Sequence, residues 1–84
     1  MTIRQFIKKR PYLSWYVKDL ERLSPEAIVE ATLNYGDWED VKRLIGILKI
    51  KRVAGFFEGQ IRRKRNNYDP QIRNYFELYF RKHA

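Results

Sequence analysis

Helix openings follow one another along this chain at intervals that leave little room for any other element. Thr2 stands three residues ahead of Gln5, the reciprocal capping arrangement, and Ile3, Phe6 and Ile7 follow at helical spacing. Ser24, Pro25 and Glu26 supply an N-cap oxygen, a proline whose missing N–H costs nothing in a first turn, and an anion at the positive end of the helix dipole. That helix is expected to run to about Tyr35, with Gly36 closing it in the left-handed conformation. Asp37 at once caps the next helix, with Glu39 and Asp40 in its first turn. Asp69 and Pro70 repeat the pairing of cap and proline further on.

Between these openings the apolar residues keep a helical period. Val41, Leu44, Ile45 and Leu48 form an i, i+3, i+4, i+7 stripe, and Ile50, Val53, Ala54, Phe57 and Ile61 carry the period to about Lys64. Ile72, Tyr75, Phe76, Tyr79 and Phe80 are expected on one face of a last helix. Gly55 and Gly59 each cost about 1 kcal/mol against alanine inside a helix, and small residues four apart would let a neighbouring helix approach closely. Pro11 ends the first helix, and Leu13, Tyr16, Val17 and Leu20 offer a further turn or two. No segment reads as strand, linker or repeat. The expected fold class is therefore all-α, a compact bundle of four to six short helices in a single domain over residues 1–84.

A domain of 84 residues buries only about 60% of the surface its unfolded chain exposes, so the aromatics, 15% of the residues, must supply much of the driving force. The absence of cysteine excludes disulfide frameworks, thiolate zinc clusters and thiol nucleophiles, and points to the cytoplasm. No apolar run nears the roughly 20 residues of a bilayer crossing, and the first ten residues lack an apolar signal core. Neither membrane insertion nor export is expected.

The charge is segregated. Residues 1–18 hold five basic and no acidic residues, residues 19–41 seven acidic and one basic, and residues 42–65 nine basic against Glu58 alone, for a net charge of +8. Such blocks are either adjoining faces that attract one another on folding or a surface for an anionic partner.

Catalytic chemistry finds no foothold, so the chain is expected not to be an enzyme. The sole histidine, His83, is the penultimate residue of the sequence, and Ser14 and Ser24 have no recognisable base beside them. Asp37, Glu39 and Asp40 form one short run at a helix start, too few converging oxygens for Mg²⁺, and read as caps. The glycines match no phosphate-cradling loop. No metal or cofactor is expected.

The candidate binding residues are cationic. Arg62, Arg63, Lys64 and Arg65 lead into Asn66 at a helix C-terminus, where the dipole favours positive charge. Four consecutive side chains on a helix point in nearly all directions, which leaves some of them for phosphates or an acidic protein. Lys42, Arg43, Lys49, Lys51 and Arg52 would widen that surface if the two central helices turn their polar faces the same way. The helix after Gly36 opens with Asp37, Glu39 and Asp40 and is repelled from a DNA groove. Tyr68 close to Arg65 would suit base stacking, and Trp15, Tyr16 and Trp38 are either core or interface anchors.

The order Ser14-Trp15-Tyr16, then residues 28–45 (IVEATLNYGDWEDVKRLI), then residues 66–80 (NNYDPQIRNYFELYF), most specifically the run from Glu30 to Asp40 joined to Asn74, Tyr75, Phe76, Tyr79 and Phe80, resembles a family of short, basic, all-helical prokaryotic proteins of largely unassigned function. Members of that family are often encoded beside nucleotidyltransferase-like proteins of the abortive-infection toxin class. The resemblance implies a toxin–antitoxin setting, with this chain as antitoxin or accessory subunit docking on such a partner, its basic side chains placed where a nucleotide phosphate would sit. It implies no catalytic residue. Two other readings stand beside it. One is a nucleic-acid binder that regulates its own operon, and the other a homodimer formed through an exposed aromatic face.

Overall fold

The caps read from the sequence open real helices in the computed structural model, which describes residues 2–13, 23–63 and 68–84. Helix α1 spans Ile3–Lys8 behind a complete capping box of Thr2 and Gln5, and a 3₁₀ turn follows at Pro11–Leu13. Helix α2, Pro25–Tyr35, is capped by the Ser24 hydroxyl, which accepts from the Ala27 N–H at 3.2 Å. Helix α3, Trp38–Leu48, opens on Asp37, helix α4 spans Ile50–Ile61, and helix α5, Pro70–His83, opens on Asp69. Tyr16, Val17 and Leu20 lie outside the described residues. Among those described there is no strand, and the chain is all-α.

One core joins all five helices. Phe6 and Ile7 of α1, Leu13, Val41, Leu44 and Leu48 of α3, Val53 and Phe57 of α4, and Phe76 and Phe80 of α5 are buried together. Helix α2 lies at the centre, packed against the 3₁₀ turn, α3 and α4. Ile28, Val29, Ala31, Thr32 and Leu33 are therefore all buried, more of its circumference than the single stripe of a surface helix. Thr32 is tolerated there because its hydroxyl donates to the Ile28 carbonyl at 2.7 Å. The radius of gyration, 12.0 Å, is what a close-packed chain of this length gives.

Four details depart from the sequence reading. Gly36 is extended, with φ −79° and ψ 160°, not left-handed. Glycine is required because a Cβ there would sit 2.7 Å from the Thr32 carbonyl oxygen and 3.0 Å from the Asp40 Cβ. Gly55 and Gly59 admit no neighbouring helix, since nothing lies within 4 Å of a Cβ at either position. Tyr75 meets the Phe76 ring edge-on at 5.1 Å but is not buried with Phe76 and Phe80, and is 52% exposed. Finally, the apolar period running from Val41 to Ile61 conceals a break at Lys49, which closes α3 and opens α4 at once with φ 75° and ψ 145°. A side-chain-bearing residue holds that conformation at a cost of about 1–3 kcal/mol.

Candidate functional site

Helix α4 buries Val53, Ala54, Phe57 and Gln60, so the helical period turns Lys51, Arg52, Gly55, Glu58, Gly59 and Arg62 outward, and all six are exposed. Lys51 and Arg62 thus share one face, about 16 Å apart along the axis at 1.5 Å per residue. No side chain caps α4 at Lys49, so the positive end of its dipole adds to the field of Lys49, Lys51 and Arg52. Arg52 lies over the Phe56 ring at 5.5 Å. Lys49, Lys51 and Arg62 form no ion pair among the described residues.

The remaining cations are distributed differently. Lys42 and Arg43, with Glu39, Gly46 and Ile47, line a shallow groove of about 440 Å³ on α3. Lys42 reaches Glu39 at 3.1 Å, and Arg63 leans toward α2, 3.7 Å from Glu26. All four partners in these two contacts are exposed, so each contact contributes little. Arg62 shares a second groove, about 360 Å³, with Arg81, Glu58 and Glu77 over a floor of Phe57, Ile61 and Phe80. Arg81 was not among the sequence candidates; its position on the last turn of α5 becomes relevant only once α5 packs along α4. Lys64, Arg65, Asn66, Trp15 and Tyr16 lie outside the described residues.

Tyr68 is corrected from a stacking platform to a core residue. Its ring packs edge-on against Phe57 with centroids 5.1 Å apart, and its hydroxyl donates to the side-chain oxygen of buried Gln60. Burial first, and then the charge of Glu30, push its phenol well above the usual 10.0. Gln60 in turn donates to the Glu26 carbonyl at 2.8 Å, so one amide ties α4 to the start of α2 and to the approach to α5. Trp38 is 43% exposed and meets Tyr79 edge to face at 5.4 Å. Beside it, sequence reasoning missed Leu78, which is 56% exposed on the side of α5 away from Phe80. Continuing the period from Phe76 and Phe80 around the helix would have found it.

The acidic run after Gly36 does more than cap. Asp37 and Asp40 form a complete capping box, and the Asp40 carboxylate also accepts from Arg10 Nε at 2.8 Å and from the Tyr12 hydroxyl at 2.8 Å. Arg10 continues to the Phe6 carbonyl at 3.2 Å and lies over the Phe6 ring at 4.2 Å. Burial raises the Asp40 pKa, but the bonds from Arg10, Tyr12 and the Asp37 N–H outweigh it and hold the carboxyl below its usual 3.8. Desolvation and the adjacent carboxylate push the Tyr12 phenol up. The basic first block and the acidic second block of the sequence therefore meet here through one buried ion pair.

Among the described residues, no three His, Cys, Asp or Glu side chains cluster as metal ligands, and no helix is long and apolar enough to cross a membrane. His83 lies at the end of α5 with its ring 4.7 Å from that of Tyr79. No protein family matches the chain, and neither a curated protein nor a solved structure does so.

Proposed function

We propose that this chain is a non-catalytic binding module whose cationic α4 face docks on an acidic protein surface, the nucleotidyltransferase-like partner that the family resemblance implies. The observation that carries the reading is that Lys51 and Arg62 stand on one exposed face without a described carboxylate partner. Gly55, Glu58 and Gly59 lie between them, so the face carries one carboxylate among its cations. Lys49 and Arg52 extend the field at one end, and Arg81 extends it at the other.

Co-expression with the neighbouring gene's product, followed by calorimetric titration of the purified pair, tests this. The double charge swap Lys51→Glu with Arg62→Glu is expected to weaken binding by at least about tenfold, while Arg4→Glu on α1 leaves it unchanged. Equal affinity of the double swap and the wild type would remove the α4 face from the account. If the chain instead binds duplex DNA, with a salt slope that falls by about 0.9 for each contact deleted on α4, the same face serves phosphates and the nucleic-acid reading replaces this one.

A further inference from the structure

Helix α5 has a second apolar face that the core does not use. Gln71, Tyr75, Leu78 and Lys82 are all exposed and are spaced four, three and four residues apart, which keeps them in one line along the helix. Tyr75 and Leu78 at its centre are more than half exposed, whereas Phe76 and Phe80 on the other side are buried. Tyr75, Leu78, Tyr79 and Lys82, with His83, line a depression of about 250 Å³. Residues at i, i+3, i+4 and i+7 make the four-cornered hole that receives one side chain from a facing helix.

We propose that two copies of this chain pair through α5, antiparallel about a two-fold axis, with Tyr75 of each copy seated in the Tyr75–Leu78–Tyr79–Lys82 depression of the other. The occupant follows from the symmetry of the line itself. A two-fold axis between positions 76 and 77 brings Tyr75 opposite the second copy's Leu78 and Gln71 opposite its Lys82. Apolar side chains then meet apolar ones, and an amide oxygen meets an ammonium. Charge selects the same orientation. Asp69 caps the start of α5, and Arg81, Lys82 and His83 occupy its last turn, so antiparallel pairing brings opposite charges together where parallel pairing would bring like charges together. Trp38, alongside Tyr79, flanks the contact.

The face is small. One helix side offers roughly half of the about 800 Å² per partner that a stable interface buries, so the dimer is expected to be weak, with Kd on the order of 100 μM. Two copies at +8 repel, and salt screens that repulsion. Self-association therefore tightens as salt rises, the reverse of docking on an acidic protein or on phosphates.

Sedimentation equilibrium of the purified chain from about 10 μM to 1 mM, at low and at moderate salt, reads the association directly. The wild type is expected to pass from monomer to dimer, with tighter association at the higher salt. Leu78→Lys is expected to weaken it by at least about tenfold, and Gln71→Glu, which faces Lys82 of the other copy, to tighten it several-fold at low salt. Both positions are exposed, and circular dichroism checks that each variant folds. A wild type that stays monomeric at 1 mM overturns the proposal, as does a Leu78→Lys variant that dimerises like the wild type. If the chain is monomeric and Leu78→Lys abolishes partner or duplex binding, the face belongs to that ligand and the dimer is refuted. Charge swaps at Lys51 and Arg62 are expected to preserve self-association and, by lowering the repulsion between copies, to tighten it somewhat at low salt, so the two surfaces succeed or fail separately.

Discussion

Two regions of this small bundle use charge in opposite ways. Around Asp40 every polar group is consumed internally: a guanidinium, a phenol and a backbone N–H converge on one carboxylate that is almost fully buried, and Gly36 leaves space for it. On the outward faces of α4 and α5, Lys51, Glu58, Arg62, Tyr75 and Leu78 are turned to solvent, and a Cβ at Gly55 or Gly59 would meet open space. Charge in the first region fixes where α1 and the 3₁₀ turn meet α3. Charge in the second has no comparable work in the fold. Determinants of stability and of binding therefore occupy different residues, and substitutions should separate them.

The sharpest way to break this contrast is Asp40→Ala. Removing the acceptor strands the Arg10 guanidinium, whose side chain is 14% exposed, and is expected to cost about 3 kcal/mol in urea unfolding, enough to leave a domain of this size partly unfolded. The same carboxylate makes stability sensitive to acid. Its folded pKa lies below the unfolded 3.8, so its contribution is complete well above that value, declines as pH falls past it, and is gone once the folded pKa is passed. Denaturation midpoints from pH 6 to about pH 2 should show this slope, and Asp40→Asn should flatten it. Gly36→Ala is next in size. Its methyl collides with a backbone carbonyl that cannot move without distorting α2, and a loss of about 2 kcal/mol is expected in the same assay. On the outward face of α4 the sign reverses: Gly55→Ala and Gly59→Ala meet nothing and are expected to stabilise the chain by about 0.5–1 kcal/mol each, visible as a rise in Tm.

What the sequence disclosed follows the same division. Local signals were readable because their partners lie three residues away, as in Thr2 with Gln5, Ser24 with Ala27 and Asp37 with Asp40. The helix count and class followed from them. The Arg10–Asp40 pair joins positions 30 residues apart, and no local pattern marks it, so Asp40 read only as a cap. Gly36 was recognised as necessary for the wrong reason, since crowding and left-handedness both demand glycine and look alike in a sequence. Tyr68 beside a cationic run looked like a stacking residue until packing placed its hydroxyl on Gln60. At the candidate site, composition showed a surplus of cations but not their directions. The periodicity of α4 supplies those for Lys51 and Arg62, whereas Arg63 bends to Glu26.

The single residue between α3 and α4 has a further consequence. Lys49 is the whole of that joint, and each residue added to a helix advances its rotation by about 100°. An inserted or deleted amino acid that α4 absorbs would roll the rest of that helix by more than a quarter turn, driving Lys51 or Arg52 toward the interior and lifting Phe57 out of it. Loop lengths elsewhere in small proteins drift readily, but here the number of residues matters more than their identity. Glycine should be accepted in place of the lysine, while an extra residue of any kind should not.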